Sequence, residues 1–236
     1  MSYLHVMRRG IVLAGCALLM AGTPLLAAAQ EKSVEESTQV HRLTSTKRAI
    51  YDAFTYVNRI PEAPEGEETA MDVTGRIFGR LANQEGRILL KLPPGMTKET
   101  YIAFKTFFRY EGDALIGDAK IGNCAACHTP RDFTDGKKHV VTKGGSAVET
   151  PSLRNLDARG IDVAKVIAAK VKAAKQKQSG KADEIDDAYA VMKLSDEDIK
   201  GLVGFLKLLN DGPESEFRGL ILNSELVDTS EMAETN

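Results

Sequence analysis

The chain has 236 residues, 43% of them hydrophobic, with 31 basic and 33 acidic side chains and a formal net charge of −2. That balance argues against nucleic acid as a general partner, and about 200 residues can bury one good core or two small ones. Of the three cysteines, two lie only three positions apart, which makes no useful loop staple and excludes a disulfide framework.

In chain order, the first 29 residues carry Arg8 and Arg9, an apolar stretch from Ile11 to Leu26, and the small residues Ala27, Ala28 and Ala29. This is the pattern of a secretory signal peptide, and it predicts an exported, periplasmic protein. Gly15, Gly22 and Pro24 interrupt the run and favour cleavage over retention as an anchor. Leu13-Ala14-Gly15-Cys16 resembles a lipoprotein box, but the apolar run before Cys16 is very short, so a lipid anchor there is not the expectation. Cleavage removes two basic residues and no acid, for a mature net charge near −4. No other stretch is long and apolar enough to predict a transmembrane span.

Residues 30–96 read as an N-terminal helical extension of open role. Ile50, Ala53, Phe54 and Val57 follow helical spacing, PEAPEGEE (61–68) is an acidic loop, and RILLKL (87–92) is a short strand closed by Pro93, Pro94 and Gly95. Thr97 is placed to cap a helix whose Tyr101, Phe104, Phe107 and Phe108 face the core or the edge of a cofactor. Residues 113–123, DALIGDAKIGN, also read as helix.

The stretch CAACH, Cys124 to His128, offers three chemistries. A structural zinc site needs four ligands, yet outside the leader the other histidines are the isolated His41 and His139, and there is no second C-x-x-C. A redox dithiol belongs at a strand-to-helix junction, which nothing nearby suggests. The third is covalent haem attachment. On a helical turn, residues three apart lie on one face, so both sulfurs reach one porphyrin, and His128 turns its imidazole to the iron. This reading is preferred.

Downstream, ETPSLRNLDARG (149–160) leads into a lysine-rich helix at 163–181, whose basic face is either a solvated surface or a steering patch for an acidic redox partner. Ser195 with Asp198 forms a capping box, and Ile199, Leu202, Val203, Leu206 and Leu209 predict an amphipathic helix that stops at Asn210, Gly212 and Pro213. Met192 precedes it in a loop. The tail, residues 213–236, is expected to fray at its acidic end, with Leu220 to Leu222 as docking residues.

C-x-x-C-H, then a methionine, then L-S-D-E-D-I-K-G-L-V-G-F-L resembles class I cytochromes c. CAACHTP with FTDGKKH and TPSLRN is similar, over roughly residues 104–210, to the C-terminal electron-transfer haem domain of bacterial di-haem cytochrome c peroxidases. The resemblance implies Met192 as the sixth iron ligand, with Met71, Met96, Met232, His41, His139 or an open position as its competitors. It also implies that the Pro151 carbonyl accepts the His128 Nδ1 proton and that Arg154 meets a haem propionate. The chain departs from that family in having one C-x-x-C-H, no tryptophan, and LDARGIDVAK where the family has A-P-Y-M-H-D-G. The electron-transfer half is thus present without the peroxide half.

The expected protein is mostly α, with a class I cytochrome c helical domain (97–212) around one covalent haem c held by Cys124 and Cys127. Its function is one-electron transfer with a redox protein partner. A peroxidase-like enzyme and a haem subunit of a larger oxidoreductase are the alternatives.

Overall fold

A computed structural model describes residues 48–61, 69–81, 89–110 and 120–228. The leader, Cys16, His41, Met232, most of the acidic loop at 61–68 and residues 113–119 of the expected helix lie outside the described residues. Six α-helices and two small antiparallel sheets appear among the described residues: α1 (Ile50–Val57), α2 (Ala70–Leu81), β1 (Leu89–Leu92), α3 (Lys98–Phe108), β2 (Lys138–His139), β3 (Val148–Glu149), α4 (Val163–Gln178), α5 (Asp196–Lys207), α6 (Glu214–Leu222) and β4 (Glu225–Asp228). Single 3-10 turns at Cys124–Ala126, Asp157–Arg159 and Asp187–Tyr189 punctuate the segment between α3 and α5. No described helix is long and apolar enough to cross a membrane.

The helix starts follow from capping. The Thr97 hydroxyl accepts the Thr100 N–H at the start of α3. At α5 the Ser195 hydroxyl accepts the Asp198 N–H (3.2 Å) while the Asp198 carboxylate accepts the Ser195 N–H (2.7 Å), the reciprocal pattern that satisfies two orphan donors. Three acidic residues in the first turn of α5 and Lys207 in its last complement the helix dipole.

α3 and α5 pack closely against each other. A Cβ on Gly201 would stand 3.3 Å from the Ala103 methyl, so the crossing distance depends on that glycine. Around the crossing lies an aromatic core. The Phe104 ring has Phe108 at 5.1 Å, Phe54 at 5.4 Å and Phe205 at 5.7 Å, all in edge-on arrangements that such rings prefer. Phe54 comes from α1, so residues before the expected haem domain share its core. In the tail, Glu214–Leu222 form α6, which packs on α1, and Glu225–Asp228 form β4, which pairs Leu226 with Lys91 and Val227 with Leu90; the acidic end expected to fray lies outside the described residues. Residues 120–123 are not helical, and Ile121 bridges Lys193 through two backbone hydrogen bonds of 2.8 and 3.1 Å.

Candidate haem-sized cavity and its ligands

The segment after α3 turns sharply into the cysteine motif. Gly122 passes so close to the Thr106 carbonyl that a Cβ would collide with it, and Asn123 adopts a left-handed conformation (φ 49°), which asparagine tolerates better than most residues. The following turn gathers two donors on one acceptor: the Cys127 and His128 N–H groups both bond the Cys124 carbonyl, at 3.3 and 2.9 Å. Ala125 is buried in the core behind it, and Cys124, Cys127 and His128 face a cavity of about 470 Å³.

The cavity is walled mainly by aliphatic side chains, among them Leu153, Leu156, Ile167 and Leu202, with Phe107 at the back. Its volume falls in the range of small-molecule and cofactor sites, on the order of 300–1,000 Å³. Burial pushes both cysteine thiols up to about 12. A redox dithiol needs the opposite, a thiol whose pKa is lowered towards neutrality, so that reading has no support here.

Burial, only partly opposed by its backbone partner, also lowers the pKa of His128, keeping the imidazole neutral and fit to bind a metal. Its Nδ1 lies 2.9 Å from the Phe133 carbonyl. A carbonyl can only accept, so Nδ1 carries the proton and the Nε2 lone pair is left to face a ligand. Phe133 is fully buried with φ 56°, a conformation rare for a bulky residue and the kind of outlier found at functional sites. This corrects the expectation for Pro151. Pro151 lines the cavity, but the bond to His128 comes from Phe133.

Arg154 is a second correction. It is not on the cavity wall; its guanidinium forks onto Asp52, with Nη2 at 2.6 Å and Nη1 at 2.7 Å, while Nε donates to the Arg131 carbonyl. Three of its five N–H donors are thus engaged by Asp52 and Arg131. Arg159 and Lys170 do line the cavity. Lys170 lies over the Tyr189 ring, 5.9 Å from its centroid.

Met192 is half-buried on the cavity wall. The 3-10 turn Asp187–Tyr189 holds its loop: the Asp186 carboxylate accepts the Ala188 N–H, the Tyr189 carbonyl accepts the Met192 N–H, and Gln178 donates to the Met192 carbonyl at 2.8 Å. Asn123, next to the cysteine motif, donates to the Ala188 carbonyl at 2.9 Å. Of the other methionines considered, Met96 is buried in the core and Met71 is on the surface.

His139 also lines the cavity. Its two nitrogens lie 2.7 Å from Asp186 and 2.8 Å from Asp135. The bond to Asp186 is the largest cause of its raised pKa; burial opposes it, and the bond to Asp135 adds to the rise. Burial alone would raise both carboxyls, but their hydrogen bonds hold each below the usual aspartate range. Potential donor atoms of Cys127, Asp135 and His139 come within 4.8 Å of one another. No second cysteine–histidine pair completes a zinc site among the described residues.

The family model for cytochrome c matches residues 111–210. No curated protein and no solved structure gives a significant match to the chain.

Proposed function

The chain carries a cytochrome c domain over residues 111–210, and from that premise we propose a periplasmic carrier of single electrons with one haem c and histidine–methionine ligation. Haem supplies a one-electron iron couple, and the protein supplies anchoring, orientation and a dry site. Cys124 and Cys127 serve as the two covalent anchors. His128 is the proximal donor, its ring fixed by the Phe133 carbonyl, which also keeps Nε2 basic. Met192 is the distal donor, and a thioether in that position favours reduced iron and raises the potential.

The observation that carries this reading is that Cys124, Cys127, His128 and Met192 all reach the wall of the same apolar cavity, although Met192 is remote in sequence. The fit also favours haem over a bare metal, since the wall is largely hydrocarbon. A single C-x-x-C-H supports one haem, and the leader pattern of residues 1–29 supports export. Val148 and Val166 are 48% and 45% exposed at the mouth, where an accessible edge would serve electron exchange with a redox protein.

The test is a denaturing gel with haem stain, followed by oxidised and reduced absorption spectra of the wild type and Met192→Ala. Haem that stays with the denatured chain and a far-red methionine-to-iron band lost only in the variant are expected. A colourless chain, or a band unchanged in Met192→Ala, would overturn the reading. Peroxide added to the oxidised wild type should leave its spectrum unchanged; a response would favour a peroxidase-like enzyme.

A further inference from the structure

His139 is bonded at once to the two loops that carry the proposed iron ligands. On one side, Nε2 meets Asp135 at 2.8 Å, two residues beyond Phe133, whose carbonyl orients His128. On the other, Nδ1 meets Asp186 at 2.7 Å. Asp186 caps the turn that leads to Met192, and its own N–H donates to the carbonyl of Val140, next to His139. Each carboxylate can only accept, so a ring that satisfies both presents two N–H donors. The backbone that carries the ring is itself anchored, because His139 pairs with Val148 in the β2–β3 ladder. The imidazole is therefore a rigid strut between the loop after the cysteine motif and the loop before α5.

We propose that His139 is a positioning residue which couples these two loops, holding the Met192 segment closed over the iron through Asp186 and bracing it on the His128 side through Asp135. The inference rests on the histidine–methionine reading above, but the coupling of the loops can be tested apart from it. Charge-assisted bonds at both ends make the strut stronger than the neutral contacts beside it. Those contacts, Asn123 to Ala188 and the Ile121–Lys193 bridge, persist without it, so its loss opens the loop without unfolding the chain. An unbraced loop exposes the sixth position to small ligands.

The experiment uses the haem-loaded protein with His139→Gln and Asp135→Asn. Two readouts are taken: amide hydrogen exchange across residues 186–192, and ferric-state affinity for added imidazole. His139→Gln is expected to retain covalent haem, to speed exchange at Ala188 and Met192 about tenfold, and to tighten imidazole binding about tenfold, the scale of one lost charge-assisted bond. Asp135→Asn, which does not touch the Met192 loop, is expected to move the same readouts in the same direction. Exchange at 186–192 identical to wild type in His139→Gln would overturn the proposal. So would an Asp135→Asn effect confined to residues 133–136. If the wild type lacks a methionine-to-iron band, the ligand reading fails, and the exchange data still decide the strut.

Discussion

An imidazole between two carboxylates gives a pH window with defined edges. The folded-state pKa of His139 lies above its ordinary 6.5, so its contribution to stability is full below about 6.5 and disappears as pH rises through the raised value. Asp135 and Asp186 lie below their ordinary 3.8, so their contribution is present above about 3.8 and is lost as pH falls through the lowered values. The strut is therefore complete between about pH 4 and 6.5. In urea unfolding of the haem-loaded protein, the deficit of His139→Gln relative to wild type is expected to be about 1 kcal/mol at pH 5.5 and to shrink at pH 9. A deficit that grows with pH contradicts the charge assignment. At this scale the sequence was most informative where spacing alone matters. Cys124, Cys127 and His128 share one turn, and their arrangement follows from three-residue periodicity. The partners of Arg154 and His139 could not be read that way. Asp52 lies 102 positions from Arg154 and Asp186 lies 47 from His139, while the acceptor for His128 is a backbone carbonyl, which leaves no mark in the side-chain sequence.

Helices announced themselves where caps and periodicity agreed. Thr97, Ser195 and the apolar stripes located α3 and α5, and the lysine-rich pattern located α4, whose Asp162 cap accepts the Lys165 N–H. The short β4 strand was hidden because its residues are partnered only by β1, far away in the chain. α4 also carries a functional expectation. Val166 and Lys170 line the cavity, and Lys172 and Lys175 on the same helix are exposed. This lysine-rich helix sits on a protein of net negative charge, so its exposed basic side would attract an acidic redox partner, and such steering is screened over about 8 Å at physiological salt. Electron transfer to an acidic partner is expected to slow several-fold between 20 and 200 mM salt, in line with screening. Lys172→Glu with Lys175→Glu should lower the low-salt rate and flatten the salt dependence. A wild-type rate indifferent to salt removes this role for α4.

Across the described residues, stretches before and after the segment that the cytochrome c family model matches hold it together through one polar knot. The Arg154 side chain is 3% exposed and its partner Asp52, on α1, 15% exposed. Asp211, at the end of the segment, accepts from Asn155 (2.9 Å) and the Arg48 N–H (3.2 Å), and its own N–H donates to Asn155. Three stretches, near residues 50, 155 and 211, are thus fastened at one point, and the aromatic core beneath draws Tyr51 and Phe54 from the first of them. A buried guanidinium stripped of its carboxylate keeps the desolvation penalty without the attraction. Asp52→Ala is therefore expected to cost about 3–5 kcal/mol, whereas Asp52→Leu with Arg154→Met, which removes both charges, should cost distinctly less. Urea unfolding of the haem-loaded single and double variants gives the comparison. The same set separates the observed role of Arg154 from the one its motif suggested. If it belongs to the knot, Arg154→Met lowers stability and leaves the reduction potential near wild type, because the residue does not line the cavity. If its charge acted on a haem propionate, the potential would shift while Asp52→Ala stayed mild.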